Sequence, residues 1–75
     1  MSEENNHSAI TIIANGEARQ IQAGSTIADL LHELNITPTY VVVQLDGEIV
    51  PRSDLAVVTL RDGCKLEIVT LVGGG

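Results

Sequence analysis

Covalent or coordination chemistry in this chain could come from three sources. They are the carboxylate of Gly75, closing the run Gly73-Gly74-Gly75, the thiol of Cys64, and the imidazoles of His7 and His32. A terminal glycine run is ordinarily a frayed end, because glycine costs conformational entropy and adds nothing to packing. Here the preceding residues stay apolar up to Val72. The carboxylate is therefore expected on a thin arm, about 10 Å long at full extension, projecting from an ordered strand. An arm without side chains can thread a channel that any Cβ would obstruct. A carboxylate is a weak electrophile, but transfer of AMP from ATP makes it an activated acyl group. A persulfide or sulfide could then displace AMP and leave a thiocarboxylate. That product is a nucleophile tethered to a docking domain, held at high effective concentration. The activation needs Mg²⁺, ATP and placed phosphate ligands. The chain has no glycine-rich phosphate loop, so a partner must supply them and the chain is expected to bind no cofactor itself.

The other reactive groups have plainer readings. A single cysteine excludes an internal disulfide and cannot make a zinc site alone. Strand alternation puts Cys64 on one face with Leu66 and Ile68, where a thiol behaves as a small buried hydrophobe rather than a persulfide acceptor. His7 and His32 lack a second ligand at metal spacing, so no metal is expected. Arg52 either meets an acidic patch on a partner or caps the turn after Pro51.

The elements that must position the tail follow from local patterns. Residues 1–8 read as a flexible polar extension. Ala9–Ala14 is apolar and β-branched, and Asn15-Gly16 after it is a strong hairpin signal, since both residues tolerate positive φ. Glu17–Ala23 returns as the second strand. Thr26 is expected to cap a helix, with Asp29 in the capping-box position. Ile27, Leu30, Leu31 and Leu34 form one apolar stripe, and Asn35 and Pro38 end the helix. Tyr40–Leu45, apolar on both faces, is expected at the centre of a sheet. Asp46-Gly47 turns into the short strand Glu48–Val50, which Pro51 stops. Residues 53–60 are expected to be irregular or a single helical turn. Asp62-Gly63 turns once more into a last strand, Cys64–Val72.

One helix with one apolar stripe covers one face of one sheet. The element order matches an α+β, ubiquitin-like β-grasp domain over residues 9–72, a mixed sheet whose first and last strands lie side by side, followed by a flexible glycine tail at 73–75. On the last strand, alternation sets Leu66, Ile68, Thr70 and Val72 on the face beneath the helix. Lys65, Glu67, Val69 and Leu71 then face away, so Val69 and Leu71 form a candidate docking pair beside the tail.

Composition narrows the partners. The chain has 75 residues, enough for one domain with one core. Its only aromatic residue is Tyr40, so that core is aliphatic. A net charge of −6 with four basic residues disfavours nucleic acid and suits a basic face on a larger protein. The polar, acidic start lacks the pattern of a secretion signal, and no segment has the apolar length of a membrane span, so a cytoplasmic monomer is expected.

A more specific likeness lies in Val41-Val42-Val43-Gln44-Leu45-Asp46-Gly47-Glu48-Ile49-Val50-Pro51-Arg52, then Leu60-Arg61-Asp62-Gly63, Leu66-Glu67-Ile68-Val69 and Val72-Gly73-Gly74-Gly75. Over roughly residues 9–75 the chain resembles the thiamine-biosynthesis sulfur carrier family (ThiS). A Gly-Gly end is common to ubiquitin-like carriers. The Ile-Val-Pro-Arg segment narrows the likeness, being unusual in the molybdopterin-synthase small subunits. Cys64, where the family commonly has an acidic residue, and the long polar start depart from the pattern without touching the tail. The resemblance implies a non-enzymatic carrier, adenylated on Gly75 by an E1-like adenylyltransferase. It would be charged as a thiocarboxylate from a sulfur donor such as a cysteine desulfurase, and would deliver sulfur to thiazole synthase. Gly73 and Gly74, with Val69, Leu71 and Arg52, are the expected partner-binding residues. Other readings are a carrier for a molybdopterin or cysteine-type pathway, a ubiquitin-like modifier joined through Gly75, or an interaction domain with incidental glycines. The single lysine, Lys65, argues against chain-building through this protein.

Overall fold

A computed structural model describes residues 8–71. Its strands are β1 (Ala9–Ala14), β2 (Glu17–Gln22), β3 (Val41–Leu45), β4 (Glu48–Val50) and β5 (Lys65–Thr70), with one helix, α1 (Ile27–Glu33), between β2 and β3. Short 3₁₀ turns occupy Pro38–Tyr40 and Arg52–Asp54. The five strands form one sheet in the order β2-β1-β5-β3-β4. β1 and β5 are parallel neighbours and the other pairs are antiparallel, which is the expected mixed sheet with first and last strands side by side.

The hairpins form where turn chemistry demands them. Asn15 and Gly16 take φ of 52° and 83°, and Asp46 and Gly47 take 50° and 90°. Both positive values are what a two-residue hairpin loop requires to match strand twist. At the start of α1 the Thr26 hydroxyl accepts from the Asp29 N–H at 3.1 Å, and the Asp29 carboxylate accepts from the Thr26 N–H at 2.9 Å. The next two free N–H groups, of Ile27 and Ala28, donate to the carbonyls of Val58 and Leu55 at 3.1 and 2.8 Å. The irregular segment before β5 is thus tied to the head of the helix. At the other end Asn35 enters the left-handed region at φ 60°, and Ile36 N–H reaches back to Leu31 C=O at 2.9 Å. This is the closing bond of a Schellman motif. Pro38 begins the following 3₁₀ turn rather than ending the helix.

Ile27, Leu30 and Leu31 turn inward onto Ile12, Val43, Leu66 and Ile68, all of them buried. Leu55 and Leu60, from the irregular segment, complete this aliphatic core. Among the described residues no buried polar or charged side chain interrupts it.

Three expectations need correction. The central strand is β5, not β3, which has only β4 between it and the sheet margin. Only Val43 of β3 is fully buried, because Val42 and Gln44 point to the face that the helix leaves uncovered. Tyr40 belongs to the 3₁₀ turn opened by Pro38, where the fixed proline φ favours a turn over an extended start. β5 is also shorter than expected. Cys64 still belongs to the turn before it, with its N–H on Arg61 C=O at 3.1 Å. Val72 lies outside the described residues, as does most of the N-terminal extension.

Candidate functional site

β5 carries the chain from the centre of the sheet toward the glycine tail, and its two faces differ sharply. Leu66 and Ile68 are buried beneath α1, while Val69 and Leu71 are 53% and 50% exposed on the open face. The expected division of faces holds for Leu66 and Ile68 against Val69 and Leu71, but Thr70, expected beneath the helix, is exposed, and Val72 lies outside the described residues. Gly73, Gly74 and Gly75 lie outside the described residues.

The open face offers more than that pair. Register sets Val42 opposite Val69 and Ile49 opposite Gln44, so a band of β4, β3 and β5 residues shares the uncovered side. Leu71 N–H donates to Tyr40 C=O at 2.6 Å, which brings Tyr40 level with Leu71. Tyr40 and Ile49 are 55% and 65% exposed. Sequence reasoning missed Tyr40, Val42 and Ile49 as members of this surface. Tyr40 and Val42 lie in a segment that is apolar on both faces and so shows no exposed side by itself, and only the register joins them and Ile49 to Val69. Arg52 is exposed in the 3₁₀ turn after β4, where its carbonyl accepts from Leu55 N–H at 3.2 Å, and its guanidinium makes no hydrogen bond or ion pair with another described residue. β3 stands between β4 and β5, so Arg52 follows a strand that does not border the exit strand.

β5 is fixed at both ends by side chains from turns. Asp62 carboxylate accepts from Thr11 N–H at 2.8 Å, and Asp46 carboxylate accepts from Lys65 N–H at 3.0 Å. Near the exit the Asn15 carboxamide makes a two-way bridge to Ile68. Its oxygen accepts from Ile68 N–H at 2.7 Å and its NH₂ donates to Ile68 C=O at 3.1 Å. The point from which the chain departs is therefore held rigidly to the first hairpin.

Cys64 is buried and lines a small cleft of about 270 Å³ with Leu45, Asp46, Val58, Thr59 and Arg61. That volume falls just below the usual range for small-molecule sites. The thiol lies before the start of β5, and about 20 Å of strand separates Lys65 from Leu71. The four residues after Leu71 span at most about 14 Å. Gly75 cannot fold back to Cys64, so a relay between them within one chain is sterically closed. Replacing Cys64 with serine is expected to cost about 1 kcal/mol, for a buried hydroxyl without an assured partner. Thermal melting checks this, and tail activation should persist. Loss of sulfur transfer in a folded Cys64→Ser protein would restore the thiol to the mechanism.

Among the described residues no three His, Cys, Asp or Glu side chains gather into a metal site, and His32 is exposed on α1. No helix among them is long and apolar enough to cross a membrane.

This geometry can be set beside that of known proteins. The sequence profile of the ThiS family matches residues 12–75. The chain belongs to the ThiS family. ThiS proteins are small sulfur carriers rather than catalysts, and the sulfur carrier protein ThiS of Escherichia coli K12 is 30% identical to this chain over 64 residues. That alignment covers 85% of this chain and 97% of the E. coli protein. The crystal structure of the thiamine biosynthesis protein ThiS from Geobacter metallireducens superposes with a TM-score of 0.75 at 28% identity. It covers 88% of this chain and all of that one, so the ThiS β-grasp fold is shared. A thiazole synthase of Paramagnetospirillum magneticum is 45% identical over 64 residues, 85% of this chain. This ThiS chain spans about a fifth of the length of that thiazole synthase and of a second one that it matches.

Proposed function

We propose that this ThiS chain carries sulfur as a thiocarboxylate on Gly75 and delivers it to thiazole formation in thiamine biosynthesis. The observation that supports this most is the exit strand, buried on one face and apolar and exposed on the other, leading directly into the glycine tail. Such a strand gives a partner a surface to grip while the carboxylate reaches into its active site.

The steps follow from the chemistry of a carboxylate. An oxygen of Gly75 attacks the α-phosphorus of Mg-ATP bound by an E1-like adenylyltransferase, and pyrophosphate leaves. The acyl-adenylate is then open to sulfur. Hydrosulfide displaces AMP and gives the thiocarboxylate directly. A persulfide from a desulfurase gives an acyl disulfide, which a thiol reduces to the same product. Throughout, the chain supplies the acyl group and the docking surface, and ATP and Mg²⁺ stay with the enzyme. Within two bacterial thiazole synthases a segment similar to this chain makes up about a fifth of the polypeptide. Covalent linkage of a carrier to its acceptor makes transfer intramolecular. This favours thiazole synthase as the acceptor over a molybdopterin-type or conjugation pathway.

The thinness of the arm is testable at Gly74. Gly74→Val adds a β-branched side chain that stiffens the backbone and widens the tail. ATP–pyrophosphate exchange catalysed by the E1-like enzyme is expected to fall several-fold, whereas Glu3→Ala, near the start of the sequence, leaves it unaltered. Equal exchange by Gly74→Val and the unmodified chain would show that no narrow channel receives the tail.

A further inference from the structure

Along β5 the odd-numbered residues turn their backbone groups toward β3 and the even-numbered ones toward β1. On the β3 side Asp46 N–H donates to Lys65 C=O at 2.8 Å and Leu71 N–H to Tyr40 C=O at 2.6 Å. On the β1 side Ile13 and Asn15 N–H donate to Cys64 and Leu66 C=O, each at 2.9 Å. β1 ends at Ala14, where the hairpin reverses the chain. The ladder nevertheless runs one step further, because the Asn15 carboxamide stands in for a strand residue opposite Ile68. The next residue on that side is Thr70. It is exposed, and its N–H and C=O have no partner among the described residues. A strand edge with a free donor and acceptor is a template for another strand.

We propose that the enzyme that adenylates Gly75 adds an extended strand to β5 at Thr70, in the place that β1 vacates after Asn15. This rests on the adenylation reading and specifies how the tail is recognised. Reach supports that occupant. Val72–Gly75 span at most about 14 Å, so the nucleotide site that receives the carboxylate lies within that distance of Leu71. The enzyme's own backbone must therefore pass close to the open edge. Composition supports it too, because a tail of glycines offers a partner nothing but main chain. Strand addition takes its affinity from main-chain hydrogen bonds. Val69 and Leu71 on the open face continue the same contact with side chains. β2 and β4 also have free edges, but β1 and β3 separate them from β5 and the tail.

Amide exchange followed by NMR on the full chain tests the proposal, free and saturated with the E1-like enzyme and a non-hydrolysable ATP analogue. In the free chain Thr70 N–H is expected to exchange fast, and Ile68 N–H, held by Asn15, slowly. In the complex Thr70 N–H should slow at least about tenfold, as a net hydrogen bond allows. Thr70→Pro deletes that donor without removing a bond to β3, since this N–H faces the other way. Its Kd for the enzyme is expected to rise about tenfold. Thr70→Ala retains the N–H and should bind as the unmodified chain does. If Thr70→Pro melts early, exchange in the unmodified complex decides alone. A chain that is adenylated normally while Thr70 N–H exchanges in the complex as fast as in the free protein overturns strand addition only. A chain that the enzyme neither binds nor adenylates overturns the adenylation reading, and strand addition with it.

Discussion

Removal of Gly74 and Gly75 is expected to leave the melting curve and circular dichroism of the domain nearly unchanged while abolishing AMP transfer. The core residues lie between Ile12 and Ile68, and hydrogen bonds tie the end of the chain down as far as Leu71. Nothing in that set uses the last two glycines. Truncation moves the carboxylate back to Gly73, by about 7 Å at full extension. A displacement of even about 1 Å from an attack geometry can cost 10²-fold in rate, so a shift of that size leaves no measurable reaction. Persistent AMP transfer to the truncated chain would mean that the terminal residue is not the acyl donor. A large fall in melting temperature would mean instead that the tail packs on the domain.

Replacing Val69 and Leu71 together with serine should separate binding from folding. Full burial of such a side chain is worth about 1.5–3 kcal/mol, and each is already half covered in the free domain, so docking gains about 1 kcal/mol from each. Loss of both should weaken binding to the E1-like enzyme by at least about tenfold. Stability should change by no more than about 1 kcal/mol, the range for exposed strand positions. Leu66→Ser on the other face is the control. Leu66 is 1% exposed, and removing such a side chain costs about 2–5 kcal/mol before the hydroxyl is counted. A domain of this size has only about 3–5 kcal/mol to lose, so Leu66→Ser should unfold. Titration of each variant beside its melt reads both effects. Unchanged binding by the double variant would move the docking surface elsewhere.

Much of this was legible because it is local. Asn15-Gly16 and Asp46-Gly47 announce their hairpins through positive φ, and Thr26 with Asp29 announces the helix start through a reciprocal bond three residues apart. Alternation on β5 separates Val69 and Leu71 from Leu66 and Ile68 without reference to any other strand. What was not legible depends on register and distance. The Asn15–Ile68 bridge joins residues 53 apart in sequence, and no local pattern around Asn15 points to it. Strand order was legible in part, since the element order matched a sheet with its first and last strands side by side, but the identity of the central strand was not. β3 and β5 are both rich in Val, Ile and Leu, and only the parallel pairing of β1 with β5 makes β5 central. Tyr40 and Val42 sit in a run that is apolar on both faces, so only pairing lays them, with Ile49, beside the exit strand. The glycine tail itself was found from sequence, and its three residues lie outside the described structure.

The most direct test of the carrier reading is the intact mass of the chain purified from its native host under thiamine limitation. The expected result is a species in which one sulfur replaces one oxygen, the change mapping to the C-terminal peptide. It should disappear when the E1-like enzyme is deleted. A chain that carries only an unmodified carboxylate under these conditions, or one joined through Gly75 to lysines of other proteins, would contradict it.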